Sequence, residues 1–219
     1  MPEAVLFDLD GTLADTAPDL GGAMNQLLCE LAREPMPIEK LRPFVSSGAR
    51  GMIGASLGIT PADREYPDLL QRFLSIYQDA LCVGTLLFPG MESHLDDLEA
   101  RRIPWGIVTN KSQRFAIPLM QQLGLRHRCV CIVCGDSAQR AKPHAHPMQL
   151  ASALIGVATT ECIYVGDDER DVISGRAAGM TTVVAGWGYL GDGKPPAHWG
   201  ADAIADSPQE ILGMAAAKR

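Results

Sequence analysis

Five short apolar runs, each followed by a polar or glycine-bearing turn, constrain the fold of this chain most. Residues 4–7 (AVLF) run into DLDGT, 103–108 (IPWGIV) into TNK, 128–134 (RCVCIVC) into GD, 162–165 (CIYV) into GDD and 181–185 (TTVVA) into GWG. Short continuous runs rich in β-branched residues or cysteine suit strands buried on both faces. The segments between them carry helix-end signals. Ser112 can cap SQRFAIPLMQQL, with Gly124 just beyond it, and ERDVISGRAA stops at Gly179. Ser207-Pro208-Gln209-Glu210 offers a capping residue, a proline at N1 and a glutamate at N3. Such alternation predicts an α/β fold: a Rossmann-like, doubly wound parallel sheet.

One interval breaks the rhythm. Thr109 follows Thr12 by 97 positions, whereas a βαβ unit needs about 30 residues. The surplus, on the order of 65 residues, is too long for a structureless loop in a compact domain. Within it Leu20, Met24, Leu27, Leu28 and Leu31 recur at helical spacing, as do Leu69, Leu70, Phe73, Ile76 and Tyr77. Proline-bearing stretches at 35–43 and 61–67 separate such pieces. Residues 15–83 are therefore expected to form an all-helical domain inserted after the first strand. Residues 1–14 and 84–219 are expected to form the Rossmann-like core.

Composition excludes several classes. At 219 residues, 47% hydrophobic and 21% charged, the chain has the makeup of an ordinary globular protein. Its net charge of −7 and pI near 5.2 disfavour nucleic-acid or anionic-membrane partners. No stretch approaches the roughly 18 apolar residues of a membrane span. The opening MPEAVLFDLD lacks a basic n-region, and six cysteines without a secretory signal suit free thiols in a reducing cytoplasm. A monomer or a homodimer is expected.

Acids and hydroxyls fall at the carboxyl ends of the proposed strands: Asp8 and Asp10, Thr109 and Asn110, Asp167 and Asp168. Ligands bind along that edge in open α/β sheets. Any one of these residues alone reads equally well as a solvated turn; three strands converging on one edge do not. VLFDLDGTLADT, VTNK, AKP at 141–143 and VGDDERD, in that order, resemble the motifs of the haloacid-dehalogenase-like phosphohydrolases, and the helical insertion falls where that family's cap lies. The similarity spans essentially the whole chain and is nearest to the phosphoglycolate-phosphatase type, including N-acetylmuramic acid 6-phosphate phosphatases.

The resemblance implies a chemistry that the residue types can perform. Phosphate monoesters hydrolyse very slowly unaided, so a site must supply a nucleophile, a proton for the leaving group and charge neutralisation. Asp8 is expected to attack phosphorus, giving an aspartyl-phosphate. Asp10, two residues on, points the same way provided the chain is still extended there, and acts as acid and then base. Lys142 neutralises Asp8 and the phosphoryl group, while the Thr109 hydroxyl and Asn110 backbone N–H hold phosphoryl oxygens. Hard oxygen ligands beside a phosphate imply Mg²⁺. By the resemblance its ligands are Asp8, the Asp10 backbone carbonyl and Asp167, with Asp171 acting through water or Lys142. Asp168 could replace either of the last two acids.

Other readings of these residues are weaker. DLDG lacks the third acid and closing glutamate of an EF-hand. A glycosyltransferase DxD leaves Lys142 and the GDDERD acids unexplained, and dehalogenase chemistry does not need Asp10. A phosphomutase of the β-phosphoglucomutase type shares all four motifs and stays open, as does a non-catalytic phosphometabolite binder. Cys131-x-x-Cys134 has no second pair at zinc-site spacing, and His144-x-His146 reads as a solvated loop. Arg50, in SSGARGM, is a candidate for binding a substrate carboxylate, with an exposed helix-start loop as the equal alternative. Trp187, Tyr189 and Trp199 read as packing residues.

Overall fold

The strand β1 (Ala4–Phe7) is apolar at all its positions because it is central and covered on both faces. Its side chains alternate: Val5 and Phe7 enter one apolar cluster, Ala4 and Leu6 the other. The computed structural model describes residues 1–214. After β1 come β2 (Ala14–Asp15), α1 (Ala17–Glu30), α2 (Ile38–Leu41), a 3-10 turn at Arg42–Ser47, α3 (Gly48–Leu57), α4 (Tyr66–Asp79) and β3 (Leu86–Leu87). The chain continues with α5 (Met91–Ala100), β4 (Trp105–Val108), α6 (Gln113–Gln122), β5 (Ile132–Val133) and α7 (His146–Ile155). It closes with β6 (Cys162–Gly166), α8 (Glu169–Ala177), β7 (Thr181–Ala185), β8 (Ala203–Ala205) and α9 (Ile211–Met214).

Six strands form one all-parallel sheet in the order β5-β4-β1-β6-β7-β8. The helices α5 and α6 pack Leu95, Leu98, Phe115 and Leu119 onto one side, and α7 packs Met148 and Ala151 onto the other. This is the doubly wound α/β sheet that the alternation predicts. The long interval holds α1 to α4, whose apolar stripes (Leu20, Met24, Leu27, Phe73, Ile76, Tyr77) face inward. At its two ends β2 and β3 pair antiparallel, Ala14 with Leu87 and Asp15 with Leu86.

Local details depart from the sequence pattern where tertiary partners intervene. The 128–134 run makes only a two-residue strand, β5, because it lies at the sheet edge and pairs with β4 alone; Val130 is already largely exposed. The sequence pattern gives no signal for β8. Ser112 is extended at the N-cap of α6 without a side-chain hydrogen bond; the first-turn Gln113 N–H donates instead to Asp136 Oδ1 at 2.9 Å. No helix among the described residues is long and apolar enough to cross a membrane.

Candidate active site

The site begins where β1 ends. Asp8 N–H donates to Val165 O at 2.8 Å, extending the β1–β6 ladder one residue and fixing the carboxylate at the sheet edge. The chain then turns instead of staying extended: Leu13 and Ala14 N–H both donate back to Leu9 O. Asp10 therefore reaches the same cavity as Asp8 through a turn, not through strand alternation. Gly11 makes that turn possible. Its φ is +82°, and a Cβ there would collide with the Asp167 carboxylate and Tyr189.

Behind Asp8 lies a buried ionic cluster. Lys142 Nζ is 2.9 Å from Asp8 Oδ1 and 2.7 Å from Asp171 Oδ1, with Val108 O at 3.1 Å and the Tyr164 hydroxyl at 2.9 Å. Burial alone would lower the Lys142 ammonium, but Asp171 and Asp8 outweigh it and hold it up at about 12. Asp8 is pushed up to about 7, chiefly by burial and against the pull of Lys142. Asp167, fully buried, is pushed up by burial and by the Asp8 and Asp171 charges, despite accepting from the Tyr189 N–H at 2.9 Å and the Ser46 hydroxyl at 3.1 Å. Three carboxylates that crowd one another this way suit a cation. Oxygens of Asp8, Asp167 and Asp171 lie within 4.8 Å of one another, the hard donor set that suits a divalent ion. Glycines line the same spot: a Cβ at Gly166 or Gly188 would strike Asp171 or Asp167.

Asp171 and Asp168 part company here. Both Asp171 oxygens are already engaged, Oδ1 by Lys142 and Tyr164 and Oδ2 by Asp168 N–H at 3.1 Å. Asp168 instead caps α8, accepting from Arg170 N–H, and pairs with the Arg170 guanidinium at 2.7 Å. Its carboxyl resists the upward push of burial and is held low by Arg170.

The cavity above Asp8, of about 290 Å³, is lined by both sides of the molecule: Asp8, Asp10, Thr109 and Asn110 from the core, Ser46 to Ala49 and Tyr77 from the inserted helices. Thr109 is buried at the end of β4. The Asn110 side chain clamps the Lys142 backbone, donating to its carbonyl at 3.1 Å and accepting from its N–H at 3.0 Å. Asp10 Oδ1 accepts from Thr16 Oγ1 at 2.6 Å and Lys111 Nζ at 2.9 Å. Lys111, Arg114 and Arg170 are the cations lining this cavity; Lys111 ends the VTNK motif and Arg170 lies within VGDDERD, whereas Arg114 belongs to no motif. Arg50 does not line it. That side chain is exposed on α3, in a neighbouring cavity of about 380 Å³ shared with Ser47, Gly51, Thr60 and Arg170.

The remaining candidates fall to packing. Cys131 and Cys134 are buried and unpaired, their thiols pushed up by burial to about 12 and about 11. His146 Nδ1 accepts from Gln139 N–H at 3.1 Å. Trp187 and Trp199 donate to backbone carbonyls. Tyr189 is the aromatic with reach: its hydroxyl accepts from Thr16 and Ala17 N–H and meets Asp15, tying the core to the start of α1.

A parallel sheet with helices inserted after its first strand, and a buried acid–lysine cluster at its carboxyl edge, defines a class. The model of the haloacid dehalogenase-like hydrolases matches residues 5–185, and the chain belongs to that enzyme family. It is 44% identical over 217 residues to a phosphoglycolate phosphatase of Xanthomonas campestris, covering 98% of this chain and 97% of the relative. To an N-acetylmuramic acid 6-phosphate phosphatase of Pseudomonas aeruginosa it is 40% identical over 210 residues, covering 96% and 93%. The fold matches the crystal structure of a predicted phosphoglycolate phosphatase from Haemophilus somnus at a TM-score of 0.85 and 24% identity, over 97% of each chain.

Proposed function

We propose that this hydrolase is a Mg²⁺-dependent phosphomonoesterase acting through an aspartyl-phosphate on a small phosphorylated acid or sugar, phosphoglycolate foremost. The observation that carries the reading is the Asp8 carboxylate, open to the cavity on one side and braced by Lys142 at 2.9 Å on the other. Asp8 attacks phosphorus as the ester P–O bond breaks, and Asp10 gives its proton to the departing alkoxide. Asp10 then takes a proton from water, the water oxygen attacks phosphorus, and Asp8 is released. Lys142 offsets charge on Asp8 and the phosphoryl group, and the Thr109 hydroxyl and Asn110 N–H orient its oxygens. Asp8, Asp167 and the Asp10 carbonyl would hold the metal, and Asp171 would support it through Lys142. The metal, when bound, neutralises phosphoryl charge as a Lewis acid.

Residues 15–83 serve as a cap that opens on the β2–β3 ribbon to admit substrate and then excludes water. The unpaired cysteines fit a cytoplasmic location. One observation favours a longer ester such as N-acetylmuramic acid 6-phosphate: the 290 Å³ and 380 Å³ cavities meet at Ser47 and Arg170, leaving room beyond a two-carbon acid.

The test is steady-state phosphate release with Mg²⁺ from 2-phosphoglycolate, N-acetylmuramic acid 6-phosphate and a hexose phosphate, with Asp8→Asn as blank. A preference of about a hundredfold in kcat/KM, roughly 2.7 kcal/mol of transition-state discrimination, names the substrate. Turnover by Asp8→Asn at the wild-type rate, or full activity in EDTA, overturns the mechanism.

A further inference from the structure

Arg170 lines the catalytic cavity, the Arg50 cavity and the small cleft over Asp8 and Lys142. Its guanidinium is fixed before any substrate arrives. Nε donates to Asp168 Oδ1 at 2.7 Å, and Nη2 donates to Asp168 Oδ2 at 2.8 Å and to Ser46 O at 2.7 Å. Asp168 belongs to the core and Ser46 to the inserted helices, so this one side chain joins the two. Nη1 makes no hydrogen bond among the described residues.

The other cations of the cavity are less suited to reading a ligand. Lys111 is committed to Asp10 and packs over the Tyr77 ring at 4.8 Å. Arg114 is exposed and stacked on Phe115 at 4.4 Å. Among the residues that line the cavity, three cations (Lys111, Arg114 and Arg170) face two carboxylates (Asp8 and Asp10). A guanidinium clamped on one edge by a carboxylate presents its free N–H in a set direction, and little side-chain entropy remains to be lost on binding.

We infer that Arg170 is a specificity-determining residue: its free Nη1 receives the carboxylate of the substrate's leaving group. The same guanidinium holds Ser46 O, so an acid-bearing ester is gripped where the cap meets the core. Asp168 is the positioning residue that aims the fork. This deepens the phosphomonoesterase reading above and rests on it.

The experiment compares kcat/KM for 2-phosphoglycolate and for ethyl phosphate, which has a methyl group in place of the carboxylate, in the full chain with Mg²⁺. Wild type should prefer the acid. Arg170→Gln should cut the preference ratio about a hundredfold, and Arg170→Lys should restore part of it, since a lysine keeps charge without the fork. Asp168→Asn still caps α8 but frees the guanidinium; its ratio should fall about tenfold, through KM for the acid. An unchanged ratio in Arg170→Gln overturns the assignment. So does an equal fall on both esters, which would mark Arg170 as a cap fastener alone. If wild type turns over both esters without preference, the inference fails and the phosphatase reading stands. If it hydrolyses neither these nor p-nitrophenyl phosphate, the reading fails and takes the inference with it.

Discussion

The floor of the cavity and its roof are built on different terms. On the floor, Asp8, Lys142, Asp167 and Asp171 are buried at strand ends, in the loop before α7 or on the first turn of α8, and nearly every polar atom has a protein partner. On the roof and in the outer cavity beside it, Ser46, Ser47, Arg50 and Arg114 are half-exposed or exposed, and their neighbours come from a 3-10 turn and from helices across a seam. A buried ion cluster tolerates no missing member, because each removal strands an uncompensated charge in a poorly solvated place. A wet rim loses little with one contact. Substitutions on the floor should therefore cost both activity and stability, and those on the roof should alter selectivity.

Lys142→Met gives the largest expected effect and is the sharpest way to break this contrast. It leaves Asp8 and Asp171 facing each other without the ammonium that now lies 2.9 Å and 2.7 Å from them. Phosphate release should fall by about a thousandfold or more, as for loss of a principal electrostatic group. Stability should drop by about 3–5 kcal/mol, the range for breaking a buried pair. A variant that keeps its melting temperature while losing turnover would show the floor to be less tightly coupled than its distances indicate.

A smaller effect comes from beneath Asp8. His94 of α5 is buried edge-on against Phe7, ring centroids 6.0 Å apart, and its Nε2 has no partner. Burial pushes the imidazole down to about 4 from its ordinary 6.5. The sign follows directly: between these values the unfolded chain binds the proton and the folded chain does not, so His94 costs stability as pH falls through this window. Asp8, pushed up to about 7, acts in the opposite direction, so the difference between wild type and His94→Leu isolates the histidine. Relative to that variant, wild type should lose on the order of 1–2 kcal/mol between pH 7 and pH 5, read by denaturant unfolding. Parallel pH profiles would place the acid sensitivity elsewhere.

The same division governs what could be read from the sequence. Asp8, Thr109 and Asp167 were legible because strand-end position is a one-dimensional property: an apolar run stops and a polar residue follows. The helical insertion was legible from the length of one interval. Asp10 was found for a reason that fails here, since the chain turns at Leu9 before alternation can aim it. Arg170 lies in VGDDERD and Ser46 in SSGARGM, yet neither motif shows that they meet, because that depends on how a segment 124 residues away seats against α8. Tyr164 reads as one more apolar strand residue, although its hydroxyl touches Lys142 and Asp171. The resemblance puts Asp171 ahead of Asp168 as the residue acting through Lys142, and the structure has Asp171 2.7 Å from Lys142 Nζ while Asp168 takes the N-cap of α8.

Arg50 offers the smallest expected effect and the finest test of the roof. SSGARGM makes it an attractive carboxylate ligand, yet the structure puts its exposed side chain beyond Arg170, in the outer cavity. A two-carbon acid held with its phosphate on Asp8 and its carboxylate on Arg170 ends before reaching it. Arg50→Ala should therefore change kcat/KM for 2-phosphoglycolate by less than about threefold, within the range of an exposed charge contact. For a phosphorylated sugar acid long enough to pass Ser47, the same substitution should raise KM by about tenfold while leaving kcat nearly constant, the pattern of a contact made equally in ground and transition states. Equal losses on the short and long esters would place Arg50 at the inner anion site and require the roof to close further than it does around Ser46.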